Sequence, residues 1–218
     1  MVEIWPSLIS ADILDLKSVI QQLDPHCYGY HLDIMDNHFV PNLTWGAQFV
    51  NAIAAYTTKP LWIHLMIETP EHFLRKLKVP KDTLITFHIE TASDINLLIE
   101  EITKHDWKAS AAINPETCIE TVFPFLERLA QVLIMTVNPG QSGQELITSA
   151  LEKILPLTHI IQTKKLQVTV AIDGGVNRYN ISQIHALGVE QFGIAAGIFA
   201  QPNAVDELMH LYNACTKD

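Results

Sequence analysis

Short apolar runs rich in β-branched residues alternate with amphipathic helical patterns along the whole chain. This alternation is typical of repeated βα units around a parallel sheet. The runs predict eight strands, at 4–9, 29–35, 61–66, 84–88, 108–113, 132–137, 168–172 and 191–195. Apolar residues spaced three to four positions apart predict helices that include 14–23, 92–104, 144–162 and 181–187. Eight such units in a chain of this length favour a (β/α)₈ barrel, an α/β fold, over an open doubly wound sheet.

The size and composition of the chain predict one domain over residues 1–218. A length of 218 residues, 48% of them hydrophobic, suits one substantial core and is short for two. No apolar run reaches the roughly 18 residues that span a bilayer, and the N-terminal residues do not resemble a signal peptide. We therefore expect a cytoplasmic protein without a membrane partner.

Charge and cysteine usage narrow the classes of ligand. A formal net charge of −10 argues against nucleic acid as a partner, because phosphate backbones are bound chiefly by clustered Lys and Arg. A small anionic substrate is still compatible, since backbone N–H groups can bind a phosphate locally. Cys27, Cys118 and Cys215 lie far apart without a CxxC pair, which predicts reduced thiols rather than disulfides or a thiolate metal site.

Ionisable residues occur at three of the predicted strand ends. His31 and Asp33 lie two positions apart on the second strand and therefore share one face, here the barrel interior. His64 lies on the third strand, and Asp173 directly follows the seventh. Because barrel enzymes place their active sites at the C-terminal ends of the strands, we expect these four side chains to converge on one mouth.

Such a set of buried charges needs compensation. Two carboxylates and two imidazoles in an apolar barrel end are costly to bury unless a positive group is shared between them. One divalent metal ion meets that need, and a His₂Asp₂ set suits Zn, Mn, Fe or Co. Spacing alone leaves the metal site and hydrogen-bonded core residues as equal alternatives. His88, Asp36 and His38, each taken individually, are interpreted as hydrogen-bonded core residues.

Three methionines lie near the candidate ligands. Met35, Met66 and Met135 each occur close to a strand end. Core filling is the ordinary role of such residues. They are also candidates for a dry, polarisable wall of the active site, beside the reacting atoms.

Six segments together resemble the successive signatures of the ribulose-phosphate 3-epimerases. They are 6–12 (PSLISAD), 31–36 (HLDIMD), 38–44 (HFVPNLT), 64–66 (HLM), 135–140 (MTVNPG) and 173–175 (DGG). The resemblance covers nearly the whole chain. It implies a TIM barrel of the ribulose-phosphate-binding type, a sugar-phosphate substrate, a role in the pentose phosphate pathway, and a homo-oligomer.

The resemblance also implies roles for individual residues. His31, Asp33, His64 and Asp173 would bind the metal, Asp33 and Asp173 would transfer protons, and Ser10 and His64 would contact the substrate. The implied reaction is 3-epimerisation of D-ribulose 5-phosphate to D-xylulose 5-phosphate through a metal-stabilised enediolate. Inverting a stereocentre beside a ketone requires a proton to leave one face and return to the other, so two bases on opposite sides fit the chemistry.

The loops that would bind phosphate depart from the family pattern. Family members carry Pro-Gly-Phe-Gly-Gly, Asp-Gly-Gly and Gly-Ser after the sixth, seventh and eighth strands. The corresponding residues here are Gly140, Gln141, Ser142 and Gly143, then Gly174 and Gly175, then Ala195 and Ala196. A residue other than glycine is strained at positive φ, so we expect phosphate binding in a weakened or reshaped form. Asn37 replaces another family glycine, and Asn tolerates positive φ better than most residues.

Three alternatives stay open. The same chemistry on another ketose derivative, such as allulose 6-phosphate, is suggested by the altered loops. A barrel aldolase or decarboxylase is disfavoured, because a Schiff-base aldolase needs a lysine and segment 132–136 has none. A non-catalytic binding protein is disfavoured by the complete set of four ionisable residues, which is a poor choice for structure alone.

Overall fold

Eight parallel strands form a barrel in the computed structural model, which describes residues 2–216. The strands are β1 (Glu3–Pro6), β2 (Tyr30–Met35), β3 (Leu61–Met66), β4 (Leu84–His88), β5 (Lys108–Ile113), β6 (Gln131–Met135), β7 (Thr169–Asp173) and β8 (Gln191–Ile194). Each strand pairs with the next along the chain from β2 to β8, and β8 pairs with β1. A single parallel bridge between Ser7 and His31 closes the seam between β1 and β2. The predicted barrel is therefore confirmed.

Strand alternation separates two sets of buried side chains. On β2, Leu32 and Ile34 point outward into the large apolar core between the strands and the helices. His31 precedes Leu32, and Asp33 lies between Leu32 and Ile34. Both residues are also buried, and they point into the barrel. A strand buried on both faces is typical of parallel sheets, in which helices cover the outside.

Eight α-helices surround the strands: α1 (Leu16–Leu23), α2 (Ala47–Tyr56), α3 (Pro70–Leu74), α4 (Ile95–Thr103), α5 (Ile154–Lys164), α6 (Ile181–Ala186), α7 (Ala196–Phe199) and α8 (Ala204–Thr216). Three 3₁₀ helices add to them: Leu8–Ser10, Ile119–Arg128 and Thr148–Lys153. Within residues 2–216, no helix combines the length and the apolar character that crossing a membrane requires.

Two predicted elements differ markedly from the structure, whereas the other predicted boundaries lie within three residues of the observed ones. The first strand ends at Pro6 rather than at residue 9, because the chain turns into the 3₁₀ helix Leu8–Ser10, which the N–H of Ala11 closes by donating to the Leu8 carbonyl at 3.1 Å. The predicted helix 144–162 is a loop, a 3₁₀ helix and then α5. Pro156 lies in the first turn of α5, where its missing N–H is tolerated, so a continuous helix through it is disfavoured.

A polar network fills the amino-terminal end of the barrel. It joins Glu3, Thr86, Ser110, Gln131 and Gln191, and we call it the base network. The Gln131 side chain donates to Gln191 at 2.7 Å and accepts from Ser110 at 2.5 Å and from Thr86 at 3.4 Å. Gln191 in turn donates to Glu3 at 2.6 Å. The network crosses the barrel interior through side chains that bond to one another.

Candidate active site

Four ionisable side chains converge at the carboxyl-terminal end of the barrel. His31 and Asp33 come from β2, His64 from β3 and Asp173 from the end of β7, and one ligand atom of each lies within 4.8 Å of the others. Asp33 Oδ1 is 3.2 Å from both His31 Nε2 and His64 Nδ1. Asp173 Oδ2 is 3.5 Å from His64 Nδ1 and 3.9 Å from His31 Nε2. We call these four residues the mouth cluster.

The mouth cluster has the donor set and the unmet bonding of a metal site. His31, Asp33 and His64 are buried, and the Asp173 side chain is only 14% exposed. Neither ring nitrogen of His31 has a hydrogen-bond partner. Because buried polar atoms are almost always paired, an unpaired nitrogen beside two carboxylates leaves a bonding position that a positive ion could fill. The residues fit a divalent metal ion of the Zn, Mn, Fe or Co type.

Electrostatics within the mouth cluster oppose the effect of burial. Burial raises the pKa of the Asp33 carboxyl, but the charge of His31 together with the hydrogen bond and charge of His64 outweighs it and holds that pKa below its ordinary value. Burial lowers the pKa of His64, yet hydrogen bonds and charges from Asp173 and Asp33 raise it to about 9. At neutral pH the metal-free protein therefore holds a proton on His64, which a metal ion bound at this ring would displace.

Packing fixes the orientation of His31. The ring of Trp62 stacks on it, with centroids 4.3 Å apart and planes 28° from parallel. Gly193 leaves room beside the ring that a side chain would fill, since a Cβ there would lie 2.4 Å from His31 Nδ1. Ser7 adds a hydrogen bond from its hydroxyl to Asp33 Oδ2. The side chains of His31 and Asp33 are thus held in place by their neighbours.

A second imidazole lies behind His64. His88, on β4, has its Nε2 2.9 Å from His64 Nε2, and the two rings stack with centroids 5.0 Å apart. His88 Nδ1 lies 3.3 Å from Glu90 Oε2. Burial lowers the pKa of His88 to about 4, so this ring is neutral at pH 7 and carries one N–H. Burial raises the pKa of Glu90, but His88, the Asn114 N–H and the Thr117 hydroxyl outweigh it and lower that pKa to about 2.

The three residues interpreted individually as core residues have different outcomes. His88 is buried and hydrogen-bonded, as predicted, but its partner belongs to the mouth cluster. Asp36 is partly buried and accepts from the backbone N–H of Glu68 at 2.8 Å. The interpretation is wrong for His38, whose side chain is 68% exposed, because it lies in the loop beyond Met35, the last residue of β2.

A cavity of about 250 Å³ opens beside Asp33 and Asp173. Its lining includes most of the predicted substrate residues and the methionine wall: Gly140, Gln141, Ser142, Gly143, Gly174, Gly175, Ala195, Ala196, Met35, Met66 and Met135. His64 and Ser10 are not among the lining residues. His64 is fully buried, and the Ser10 hydroxyl oxygen lies 2.6 Å from that of Ser142. Among the described residues that line the cavity, none is Lys or Arg.

None of the altered loop positions after β6 and β8 adopts positive φ. Positive φ angles occur at the loop glycines, with values of 115° at Gly140, 81° at Gly143, 110° at Gly174 and 69° at Gly175. The substituted positions Gln141, Ser142, Ala195 and Ala196 lie outside this region, so the strain that non-glycine residues would suffer is absent there. Asn37 does adopt positive φ, at 59°, a conformation that Asn tolerates. An anion in this cavity would depend on backbone N–H groups rather than on cationic side chains.

Several neighbours of the mouth cluster were missed by sequence reasoning. Trp62 and His64 lie two positions apart on β3, so strand alternation could have placed both in the barrel interior. Ser7 follows β1 directly, and the expectation of functional groups at strand ends could have included it. No local signal reveals Gly193 or Glu90, because their importance depends on which strands become neighbours.

Comparison with known proteins identifies the family of the chain. A family model described as the ribulose-phosphate 3 epimerase family matches residues 3–199. The chain belongs to this family. It is 31% identical to ribulose-phosphate 3-epimerase of Escherichia coli strain K12 over 210 residues, which cover 94% of this chain and 93% of the relative. It is 32% identical to that of Bacillus subtilis strain 168, over 92% of this chain and 94% of the relative. The prediction of an enzyme of this family is confirmed.

Solved structures support the barrel. The 3-hexulose-6-phosphate synthase of Salmonella typhimurium aligns with a TM-score of 0.67 at 12% identity, over 98% of each chain. The tryptophan synthase A-subunit of Pyrococcus furiosus aligns with a TM-score of 0.69 at 11% identity, over 97% of each chain. At these identities the likeness concerns the fold alone.

Proposed function

We propose that the protein is a metal-dependent 3-epimerase of a ketose phosphate, which interconverts D-ribulose 5-phosphate and D-xylulose 5-phosphate. The observation that carries the proposal is the mouth cluster, in which two carboxylates and two imidazoles converge beside a cavity of about 250 Å³. The names of the relatives support the pentulose phosphate as substrate. The proposed setting is the pentose phosphate pathway of the cytoplasm, with the chain acting as a homo-oligomer.

The metal site of the proposal consists of His31, Asp33, His64 and Asp173. One divalent ion, Zn, Fe, Mn or Co, would complete it, because His31 has buried nitrogens without a partner. When bound, such an ion supplies Lewis acidity that favours negative charge on the substrate oxygens. Trp62 and Gly193 keep His31 in place by packing.

Asp33 and Asp173 would move the protons. They come from β2 and β7, which are not neighbours in the sheet, and both line the cavity. One carboxylate would take the C3 proton from one face of the substrate, and the other would return a proton to the opposite face. Ser7 donates a hydrogen bond to Asp33 Oδ2 and so orients this carboxylate. Two fixed bases allow inversion without rotation of the substrate.

The rest of the cavity would bind and shield the substrate. Met35, Met66 and Met135 provide an apolar wall that excludes water from the reacting atoms. Gly174 and Gly175, at positive φ, belong to the loops whose backbone N–H groups would bind the phosphate.

A second candidate substrate is a hexulose phosphate such as allulose 6-phosphate. The observation that favours it is the hydroxyl pair formed by Ser10 and Ser142, with oxygens 2.6 Å apart. Ser142 occupies a loop position where the family pattern has glycine, so the pair adds hydroxyl groups that could bind additional substrate oxygens.

Turnover of both substrates by the same preparation tests the proposal. The protein is loaded with Co²⁺, Mn²⁺, Fe²⁺ or Zn²⁺, and the epimerisation of ribulose 5-phosphate and of allulose 6-phosphate is followed beside a chelator-treated sample. We expect kcat/KM to be higher for the pentulose phosphate, activity to be lost on chelation, and readdition of metal to restore it. A clear preference for the hexulose phosphate would replace the pentulose assignment, and full activity after chelation would contradict the metal requirement.

A further inference from the structure

The contact between His64 and His88 determines where the protons of both rings lie if the mouth cluster binds a metal ion. His64 Nδ1 faces Asp33 and Asp173, at 3.2 and 3.5 Å, so Nδ1 is the atom that would bind the ion. A neutral imidazole that binds through Nδ1 carries its proton on Nε2. That proton points to His88 Nε2, 2.9 Å away, which must therefore accept it.

The same reasoning places the proton of His88. Because its Nε2 accepts, a neutral His88 carries its proton on Nδ1, and Nδ1 lies 3.3 Å from Glu90 Oε2. A carboxylate only accepts hydrogen bonds. One arrangement of protons thus satisfies all three side chains. In it, hydrogen bonds run from His64 through His88 to Glu90, and we call this chain of hydrogen bonds the relay.

Glu90 is itself held in place. Its Oε1 accepts from the backbone N–H of Asn114 at 2.7 Å and from the Thr117 hydroxyl, and its side chain is only 21% exposed. The ring of Phe39 lies against His88, with centroids 4.7 Å apart. Glu90 is therefore fixed at one end of the relay, and Phe39 covers His88 in its middle.

We propose that His88 and Glu90 are positioning residues, which hold His64 with Nε2 protonated and Nδ1 directed at a divalent metal ion. The inference rests on the metal site of the proposed function. The two imidazoles of the proposed metal site would then be oriented in different ways. Packing orients His31, and a chain of hydrogen bonds orients His64. Partners of metal-binding histidines in other proteins change metal affinity about 10- to 100-fold when they are replaced.

Co²⁺ affinity, measured by competition with a chromophoric chelator, tests the proposal with a readout other than activity. Glu90→Gln keeps the shape of a partly exposed side chain, and we expect it to weaken Co²⁺ binding about 10-fold. His88→Phe keeps the ring but has no acceptor, and a loss of about 100-fold is expected. His88→Gln retains an acceptor within reach of His64 and should restore most of the affinity. Glu120→Gln, the same acid-to-amide change at an exposed site, is the matched control.

The outcomes separate this inference from the metal site itself. Wild-type protein that bound no Co²⁺ would overturn both. If the wild type bound Co²⁺ tightly and Glu90→Gln bound it equally tightly, the inference alone would be overturned. This outcome can be read whether or not His88→Phe folds. ¹⁵N NMR of the Zn²⁺-loaded protein gives a direct check, because we expect protons on His64 Nε2 and His88 Nδ1. A proton on His88 Nε2 would contradict the relay.

Discussion

The mouth cluster and the base network place polar side chains inside the same barrel in opposite ways. In the base network, amides, hydroxyls and one carboxylate bond to one another, and Gln131 uses both ends of its amide. In the mouth cluster, four ionisable groups crowd together and His31 has two buried nitrogens without partners. The side chains of the first set satisfy one another, whereas the second set has bonding positions that the proposed metal ion would fill.

Trp62 lies between the two regions. Its ring stacks on His31, and its indole N–H donates to Thr86 at 2.7 Å. The base network thereby supports the mouth cluster through one rigid side chain. Changes in the base should alter stability, and changes in the mouth should alter chemistry.

The largest effect should follow from removing a proton-transfer group. Asp33→Asn or Asp173→Asn should lower kcat for ribulose 5-phosphate by about 10²- to 10⁴-fold, because an amide cannot accept the proton. Urea unfolding of the metal-free variants should show a cooperative transition, which indicates that both variants are folded. A variant of either residue with near wild-type kcat would remove it from the reaction.

The stability of the metal-free protein should depend on pH through the mouth cluster. Burial lowers the pKa of His64, but Asp173 and Asp33 outweigh it and raise that pKa from 6.5 to about 9. Protonated His64 therefore adds about 3 kcal/mol to the free energy of unfolding. This contribution is fully present below about pH 6.5 and is lost as pH rises through 9. Urea unfolding of chelator-treated protein from pH 6 to 9.5 measures the change. His64→Gln should flatten the profile, and a wild-type protein that gained stability over this range would contradict the assignment.

Filling the space beside His31 should weaken metal binding without replacing any of the proposed ligands. Gly193→Ala places a Cβ 2.4 Å from His31 Nδ1, so the ring must move, and we expect a loss of Co²⁺ affinity of about 10- to 100-fold. Gly46→Ala is the control, because a Cβ there meets nothing within 4 Å. Equal Co²⁺ affinities in the two variants would mean that His31 does not depend on this packing.

The smallest effect on chemistry should come from the base network. Gln131→Leu leaves Ser110 and Gln191 without their partner and should destabilise the protein by about 1–3 kcal/mol. Its Co²⁺ affinity should equal that of the wild type. Urea unfolding and chelator competition on the same sample measure both quantities. A loss of metal binding at unchanged stability would reverse the roles given to the two regions.

The sequence predicts the mouth cluster better than its surroundings, for physical reasons. His31, Asp33, His64 and Asp173 occur at strand ends, and the barrel rule brings strand ends together. The contacts of Glu90 depend instead on the fold of the loop after β4. Such contacts have no periodic signal.

The base network and the element boundaries also depend on contacts that the sequence does not reveal. Thr86, Ser110 and Gln131 lie on three different strands, and only the register of the sheet makes them neighbours. The end of β1 was misplaced because the apolar residues after Pro6 suit both a strand and the 3₁₀ helix that forms. Periodicity identifies elements, and their pairing decides which polar groups meet.

Solvent exchange at C3 of the substrate tests the central claim most directly. Metal-loaded protein converts ribulose 5-phosphate in D₂O, and NMR of the xylulose 5-phosphate product reports the hydrogen at C3. Two bases that face opposite sides of the substrate predict deuterium at this carbon, because the returned proton comes from a group that exchanges with solvent. Gln131→Leu should give the same labelled product, and Asp33→Asn and Asp173→Asn should give almost none. An epimerised product that retained its original hydrogen at C3 would contradict proton transfer by Asp33 and Asp173.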